Sequence, residues 1–270
     1  MGKDIANDKR IKLNTRGANF QGKIGNNFYF YTDFYENQSL VPGYLTNFYN
    51  TNRIVPGQGF LRNKIGQAFD YSYSSGFISY SPTKYFNFQL GHGKNFIGDG
   101  YRSMLLSDQA FNYPYFKITA NVWRLNYTNL FAEFQDLKAP RTQDVLFEKK
   151  YGAFHYFDYS VTNRWSVGLF ESVIWKGRDS IAGYRGFDLN YLNPIIFYRP
   201  VEFSVGSPDN ALMGINTKYR LTNSISVYGQ FLLDEFNFKE YANNRGWWAN
   251  KYGYQLGFRY FDVCNVPNLN

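Results

Sequence analysis

The chain has 270 residues, of which 21% are aromatic (25 Tyr, 27 Phe and 5 Trp) and 19% are charged, and its formal net charge at pH 7 is +8. No run approaches the roughly 18 apolar residues that a membrane-spanning helix requires, while one cysteine and two histidines exclude an internal disulfide framework and argue against a structural zinc site. Aromatic richness with a mean hydropathy of −0.46 favours strands that have one apolar and one wet face, as transmembrane strands do.

Residues 1–15 form a polar segment without the apolar h-region of a signal peptide. The chain stops at CNVPNLN, whereas outer-membrane barrels usually end on an amphipathic strand with a terminal aromatic residue. We therefore expect an internal piece of a longer precursor, with the signal peptide removed or outside this piece.

Residues 16–270 consist largely of segments that alternate aromatic and polar residues, which predicts strands. Residues 16–38 predict a first hairpin that turns at Gly25-Asn26-Asn27. The other predicted strands cover 68–81, 84–92, 116–120, 123–134, 151–162, 164–175, 211–221, 224–236 and 251–262. About 12 strands are thus joined alternately by tight turns and long loops, the longest early loop being 39–66. This pattern predicts an all-β domain, an antiparallel transmembrane β-barrel in the outer membrane, and we expect it to be part of a larger barrel.

One long irregular stretch, residues 91–116, has neither a strand nor a helix period. Its sequence, GHGKNFIGDGYRSMLLSDQAFNYPYF, places four glycines within ten residues, beside His92, Lys94, Asp99 and Arg102. Glycines let backbone amides approach a ligand closely, so this cluster is a candidate saccharide or phosphate site. The alternative is that the glycines shape a turn and the charges pair inside a wet lumen, with Asp99 or Asp108 against Arg102.

A second irregular region, residues 177–210, contains NPIIFYRPVEFSVGSPDN, and its three prolines exclude a central strand through most of it. Arg199 can bind a carboxylate or phosphate in bidentate fashion, while Tyr198 and Phe203 offer stacking faces for sugar rings. A loop that simply folds into the barrel fits these residues equally well. Trp247-Trp248 predicts an interfacial belt.

Catalysis has little support in the sequence. His92 with Ser103 or Ser107 could be drawn as part of an esterase site, but no nucleophile elbow accompanies them. The acids Asp234-Glu235 lack the context of a glycosidase pair, and we interpret His155 as a packed strand residue. We predict no catalytic residues, no metal site and no cofactor.

The run GHGKNFIGDGYRSMLLSDQAFNYPYFKI, together with NPIIFYRPVEF and SPDNALMG, resembles the Wzi-type capsule-assembly outer-membrane proteins. The likeness is to the Bacteroidota branch of this family, which includes the gliding-motility protein RemB, and it covers about residues 65–265. It implies an outer-membrane β-barrel that helps to hold or organise exported polysaccharide at the cell surface, and a link to surface motility.

We therefore expect a non-catalytic outer-membrane barrel that binds or organises surface or capsular polysaccharide. Its expected partners are acidic polysaccharide or lipopolysaccharide, outer-membrane lipid and other cell-envelope proteins, but not nucleic acid, for which no recognition motif is present. A porin-like transport channel and a soluble carbohydrate-binding β-sandwich remain alternatives. The candidate ligand-binding residues are His92, Lys94, Asp99, Tyr101, Arg102, Tyr198, Arg199 and Glu202.

Overall fold

The computed structural model describes residues 2–136, 147–179, 183–198, 209–234 and 251–269. Within these residues the protein is all-β, with twelve antiparallel main strands and few helices. None of the helices in these ranges is both long enough and apolar enough to cross a bilayer.

The chain divides into two compact units. The first unit comprises Met1–Tyr80, Gln89–Lys94 and Asp108–Pro114, and the second comprises Ser81–Phe88, Asn95–Ser107 and Tyr115–Asn270. The irregular stretch after residue 90 is therefore shared between the units.

The first unit is built on three long strands, β2, β3 and β7, that pair antiparallel in this order. The elements up to the first residues of the irregular stretch are β1 (Gly2–Asp4), β2 (Lys9–Ile24), β3 (Phe28–Leu40), α1 (Gly43–Asn52), β4 (Ile54–Val55), β5 (Gly59–Phe60), β6 (Asn63–Ile65), β7 (Ala68–Tyr80) and β8 (Phe86–Gly93), of which residues 86–88 belong to the second unit.

The two faces of this three-stranded sheet differ in polarity. One face exposes Phe20, Phe34 and Ile78. The opposite face carries Asp33, whose carboxylate accepts hydrogen bonds from the hydroxyl groups of Tyr31 and Tyr73 at 2.9 and 3.2 Å. Helix α1 adds Tyr49 to a core cluster of Tyr49, Val55, Leu61, Phe69 and Tyr71.

The second unit is a larger antiparallel sheet, in which β9 to β12 and then β15 to β17 pair in chain order. Its elements are β9 (Tyr113–Val122), β10 (Leu125–Asp136), β11 (Glu148–Ser160), β12 (Trp165–Lys176), β13 (Arg178–Asp179), β14 (Gly183–Tyr184), a 3-10 helix (Leu189–Leu192), β15 (Asn210–Arg220), β16 (Ile225–Asp234), β17 (Lys251–Tyr260) and a second 3-10 helix (Val263–Asn265).

Strands β15 to β17 also have one polar and one apolar face. Asn216, Gln230 and Gln255 are cross-strand neighbours and belong to the polar face. The apolar face carries the alternate residues, and among them Leu256 and Phe258 are 80% and 73% exposed. An exposed apolar face of this kind needs an apolar environment or a partner.

The strand predictions agree with the structure to within a few residues, and the hairpin that turns at Gly25 is confirmed. Two segments differ. Strand β2 begins at Lys9, inside the segment 1–15, and the predicted loop 39–66 contains α1 and β4 to β6. The start of α1 carries no side-chain cap, since Pro42 occupies the N-cap position, so the usual local signal of a helix start is missing.

Candidate functional site

The part of the irregular stretch that belongs to the second unit, Asn95–Ser107, packs against the polar face of β15 to β17. We call it the excursion. A β-bridge between Ile97 and Leu106 closes its base. The excursion contacts every second residue of the three strands. These strand positions carry polar or small side chains because they must bond to the excursion or leave room for it.

Asp99 connects the excursion to β15. Its Oδ1 lies 2.6 Å from the Lys218 ammonium nitrogen, and its Oδ2 accepts a 2.8 Å hydrogen bond from Asn216 Nδ2. Asn216 Oδ1 in turn accepts from the Asp99 backbone amide at 3.0 Å. The ion-pair partner of Asp99 is therefore Lys218 of β15 rather than Arg102, so Asp99 pairs with a cation outside the cluster.

Gln230 of β16 joins the middle of the excursion to the same network. Its Nε2 donates to Ser103 Oγ at 2.9 Å and to Asn216 Oδ1 at 3.1 Å, while its Oε1 accepts from the Met104 amide at 3.0 Å. Asn216 and Gln230 are 0% and 3% exposed, so these bonds satisfy fully buried amides. The Ser103 hydroxyl also donates to the Ile97 carbonyl. Both hydrogen-bonding roles of this hydroxyl are thus used within the fold.

Glycines allow the excursion to lie this close to the sheet. A β-carbon at Gly98 would lie 2.2 Å from Gln230 Nε2, and Gly98 has a φ of +105°. A β-carbon at Gly100 would lie 2.4 Å from Gln255 Oε1. At these two positions the glycines permit close packing of the excursion on the chain itself.

Tyr101 and Arg102 form an exposed tip at the far end of the excursion. The Tyr101 side chain is 78% exposed, and the Arg102 guanidinium carbon lies 5.8 Å from the centre of its ring. The Tyr101 amide donates to the Tyr228 hydroxyl at 3.3 Å. Arg102 forms no ion pair with any residue that the structure describes.

Arg259 of β17 lies beside this tip. It donates to the Asp99 carbonyl at 2.7 Å, and its guanidinium carbon lies 5.6 Å from the centre of the Tyr228 ring. The sequence did not single out three residues that meet the tip: Lys218, Tyr228 and Arg259. Their alternation with apolar residues on β15 to β17 was the one local pattern that could have assigned them to the polar face.

His92 and Lys94 belong to the first unit. His92 is exposed near the end of β8. Lys94 follows β8 and donates to the Gly57 carbonyl. Burial lowers the pKa of the Lys94 ammonium below its usual value, while the nearby Asp108 carboxylate acts in the opposite direction. Lys94 thus has a local structural role.

The second irregular region is attached to the sheet through Arg185. This guanidinium donates to both oxygens of Asp209, at 2.8 and 2.9 Å, and to Asp188 at 2.7 Å. Tyr191 donates to Asp209 at 2.6 Å and packs on Trp175, with 4.7 Å between ring centres. Burial raises the pKa of the Asp188 carboxyl, but the Arg185 and Asn190 hydrogen bonds outweigh it and hold that pKa below its usual value.

Two other candidates from the sequence that the structure describes, Tyr198 and His155, join neither of these two networks. Tyr198 is half exposed. Arg199, Glu202 and Trp247-Trp248 lie outside the described residues. His155 is buried, with Nδ1 2.6 Å from Asn129 Oδ1, which agrees with its interpretation as a packed residue. Among the described residues, no three His, Cys, Asp or Glu side chains are grouped to hold a metal ion.

No protein-family model matches the chain, and no curated protein matches it. Among solved structures, it is similar to one described as a NanC porin, with 8% sequence identity, a TM-score of 0.39, and coverage of 92% of this chain and 99% of the porin chain.

Proposed function

We propose that this protein is an outer-membrane β-barrel that binds acidic surface polysaccharide without catalysis. The membrane location is supported by the exposed apolar face of β15 to β17, opposite a face of amides and cations. In water, side chains such as Leu256 and Phe258 would leave a large apolar surface uncovered. Alternation of lipid-facing and polar-facing residues is typical of outer-membrane strands.

The observation that carries the binding proposal is the exposed tip of the excursion. Tyr101 provides an aromatic surface for a sugar ring, and Arg102 provides a guanidinium for a carboxylate or phosphate. Arg259 and Tyr228 add a second cation and ring beside it. Asp99 serves this site by holding the excursion through Lys218 and Asn216. Tyr198 and Arg199 stay in the proposal as a second contact region.

The resemblance of residues 65–265 to capsule-assembly and gliding-associated proteins indicates which polysaccharide this would be. We propose capsular or other exported surface polysaccharide as the ligand. A scaffold is favoured over a channel because the excursion covers the polar face of β15 to β17, where a channel would need water.

A direct test is affinity electrophoresis of the folded, detergent-solubilised protein in gels that contain polygalacturonate, an acidic polysaccharide. The Tyr101→Ala/Arg102→Ala variant should lose about tenfold in affinity, since it removes a stacking ring and a charge-assisted contact. The matched control, Trp123→Ala/Arg124→Ala, removes another exposed aromatic–cation pair and should bind like the wild type.

Equal retardation of the tip variant and the wild type would overturn the tip as the binding site. Retardation of neither would overturn binding of acidic polysaccharide. Sustained single-channel conductance of the wild type in planar bilayers would favour the channel instead.

A further inference from the structure

Three tight turns of the second unit share one construction. In each, a threonine hydroxyl accepts hydrogen bonds from the backbone amides two and three residues later. The distances are 3.2 and 3.0 Å at Thr162, 3.2 and 2.9 Å at Thr222, and 3.2 and 3.3 Å at Thr83. This is a threonine-based turn, which stabilises a sharp reversal between strands.

The three threonine turns and the turn at 123–124 lie at the same edge of the sheet. The turns at 123–124, 161–164 and 221–224 are at this edge because they join successive antiparallel strands. The Thr83 turn is joined to the same edge by the Asn121 amide, which donates to the Tyr85 carbonyl at 2.7 Å. We call this boundary the tight-turn edge.

The tight-turn edge repeats an aromatic residue next to a cation. The four neighbouring pairs are Lys84-Tyr85, Trp123-Arg124, Arg164-Trp165 and Tyr219-Arg220. All eight side chains are exposed, and Trp123 is 83% exposed. The cation lies over its neighbour's ring in two pairs, at 5.0 Å for Lys84 on Tyr85 and 5.5 Å for Arg124 on Trp123.

The turns of this edge carry no acidic residue of their own. Residues 81–85, 122–125, 161–165 and 219–224 contain no Asp or Glu. In the described part of the chain, none of the four cations forms an ion pair. Such an edge attracts anions, and the position of the aromatic rings indicates what kind of anion.

The aromatic members end the apolar face. Trp165 and Tyr219 are cross-strand neighbours, and Trp165 Nε1 donates to Thr217 Oγ1 at 3.0 Å. Trp and Tyr with an apolar ring and a satisfied polar group are typical of the membrane–water interface. The neighbouring cations would then lie at the depth of the lipid headgroups.

A groove continues from this edge across the apolar face. Its volume is about 520 Å³, and it is lined by Tyr219, Val227, Leu256 and Phe258 around Gly229, among others. Gly229 lines the groove, and a β-carbon there would lie 3.1 Å from Leu256 Cδ2. The groove is lined in part by Tyr219, the chain neighbour of Arg220, so one ligand with an anionic head and an apolar tail would fit both features.

We infer that the tight-turn edge binds anionic phospholipid, with the phosphate on the cations and an acyl chain in the groove at Gly229. This inference rests on the proposed membrane location. The four cations attract the phosphate, and one cation near an anionic surface strengthens binding about fivefold.

The experiment uses full-length protein reconstituted in phosphatidylcholine bilayers that contain either brominated phosphatidylglycerol or brominated phosphatidylcholine at the same fraction. Tryptophan fluorescence is quenched by bromine nearby. The fluorescence of the two edge tryptophans is obtained by subtracting the signal of a Trp123→Phe/Trp165→Phe variant from that of the wild type. In the wild type, brominated phosphatidylglycerol should quench this fluorescence several-fold more efficiently than brominated phosphatidylcholine does.

The test variant is Arg124→Gln/Arg164→Gln/Arg220→Gln, which removes the cations nearest the two tryptophans and the groove and should bring the two quenching efficiencies close to equal. Its matched control is Lys149→Gln/Lys150→Gln/Lys176→Gln, which removes the same charge at the opposite ends of the strands and should keep the preference. A second variant, Gly229→Val, should reduce quenching by lipid brominated on its acyl chains.

Equal quenching by the two brominated lipids in correctly inserted wild type would overturn the lipid inference and leave the membrane location intact. A preference that survives in the test variant, or that falls equally in the control, would also overturn it. Failure of the wild type to resist urea extraction from the bilayers would overturn the membrane location, and the lipid inference with it.

Discussion

Asp99 and Lys218 form an ion pair with 2.6 Å between Oδ1 and Nζ, although 119 residues separate them along the chain. Asp99 belongs to the excursion, and Lys218 lies on β15 near the tight-turn edge. Together with the Asn216 and Gln230 bonds, this pair attaches the tip of the excursion to the polar face at that edge, at the opposite ends of the strands from the long connections.

The Asn216→Ala variant should release the excursion. Asn216 bonds to the amide and carboxylate of Asp99, to the Tyr156 hydroxyl and to Gln230, and its removal leaves buried partners unsatisfied. We expect a loss of about 1–3 kcal/mol in the free energy of unfolding, measured by urea titration, and faster trypsin cleavage after Arg102. The control Asn223→Ala, in an exposed turn, should change neither quantity. Unchanged cleavage in Asn216→Ala would show that the network does not hold the excursion.

Glycine 98 should not tolerate a side chain. Gly98→Ala places a β-carbon against Gln230 and Ser103 at a φ of +105°, so the backbone must shift at a cost of about 1–3 kcal/mol. Gly253→Ala is the matched control, since its nearest neighbour is the flexible Met104 side chain at 3.5 Å. Urea titration should therefore destabilise the first variant and leave the second near the wild type. Equal stability of the two would contradict the packing of the excursion.

Threonine 162 should contribute to the turn between β11 and β12. Thr162→Val keeps the shape of the side chain but removes the acceptor for the Arg164 and Trp165 amides. We expect the free energy of unfolding to fall by about 1 kcal/mol. Thr51→Val, at an exposed position of α1, is the control for a threonine-to-valine change. A change of the same size in both variants would argue against the turn bonds as the cause.

The attachment through Arg185 and Asp188 should depend on pH. The folded pKa of Asp188 lies below its usual value, so the ionised form contributes stability above the unfolded pKa of about 4. That contribution is lost as the pH falls through the folded pKa. At pH 7, Asp188→Asn should therefore be less stable than the wild type, by about 1–2 kcal/mol.

The urea-unfolding free energies of both proteins, measured at pH 7 and again at pH 3, check this prediction. The difference between them should shrink at the lower pH. Asp262→Asn, near the end of the described chain, serves as a control for loss of a carboxylate. A difference for Asp188→Asn that stays constant with pH would mean that its charge is not the stabilising feature.

The long strands could be predicted from the sequence because their signal is local. Alternation such as Phe28 to Tyr35 repeats every two residues, and this period is set by the pleat of a single strand. Helix α1 could not be predicted in the same way. It begins after Pro42 without a capping side chain, and it is held by the contact of Tyr49 with Phe69, with 5.1 Å between their ring centres.

The candidate site was predicted in part. Closeness in sequence suggested one cluster of His92, Lys94, Asp99 and Arg102, but the structure assigns the first two to one unit and the last two to the other. Lys94 is engaged by Gly57, and Asp99 by Lys218 and Asn216. Only Tyr101 and Arg102 form the exposed tip.

The class of the protein is predictable from local sequence: antiparallel strands with one apolar and one polar face, joined by tight turns and long irregular connections. These properties follow from residue type and from a period of two, which each strand carries alone. Three features emerge from the folded chain instead: the excursion lies on the polar face, Lys218, Tyr228 and Arg259 meet its tip, and four aromatic–cation pairs share one edge. Such contacts depend on strand register and on chain segments more than 100 residues apart, as for Asp99 and Lys218, and local patterns do not encode them.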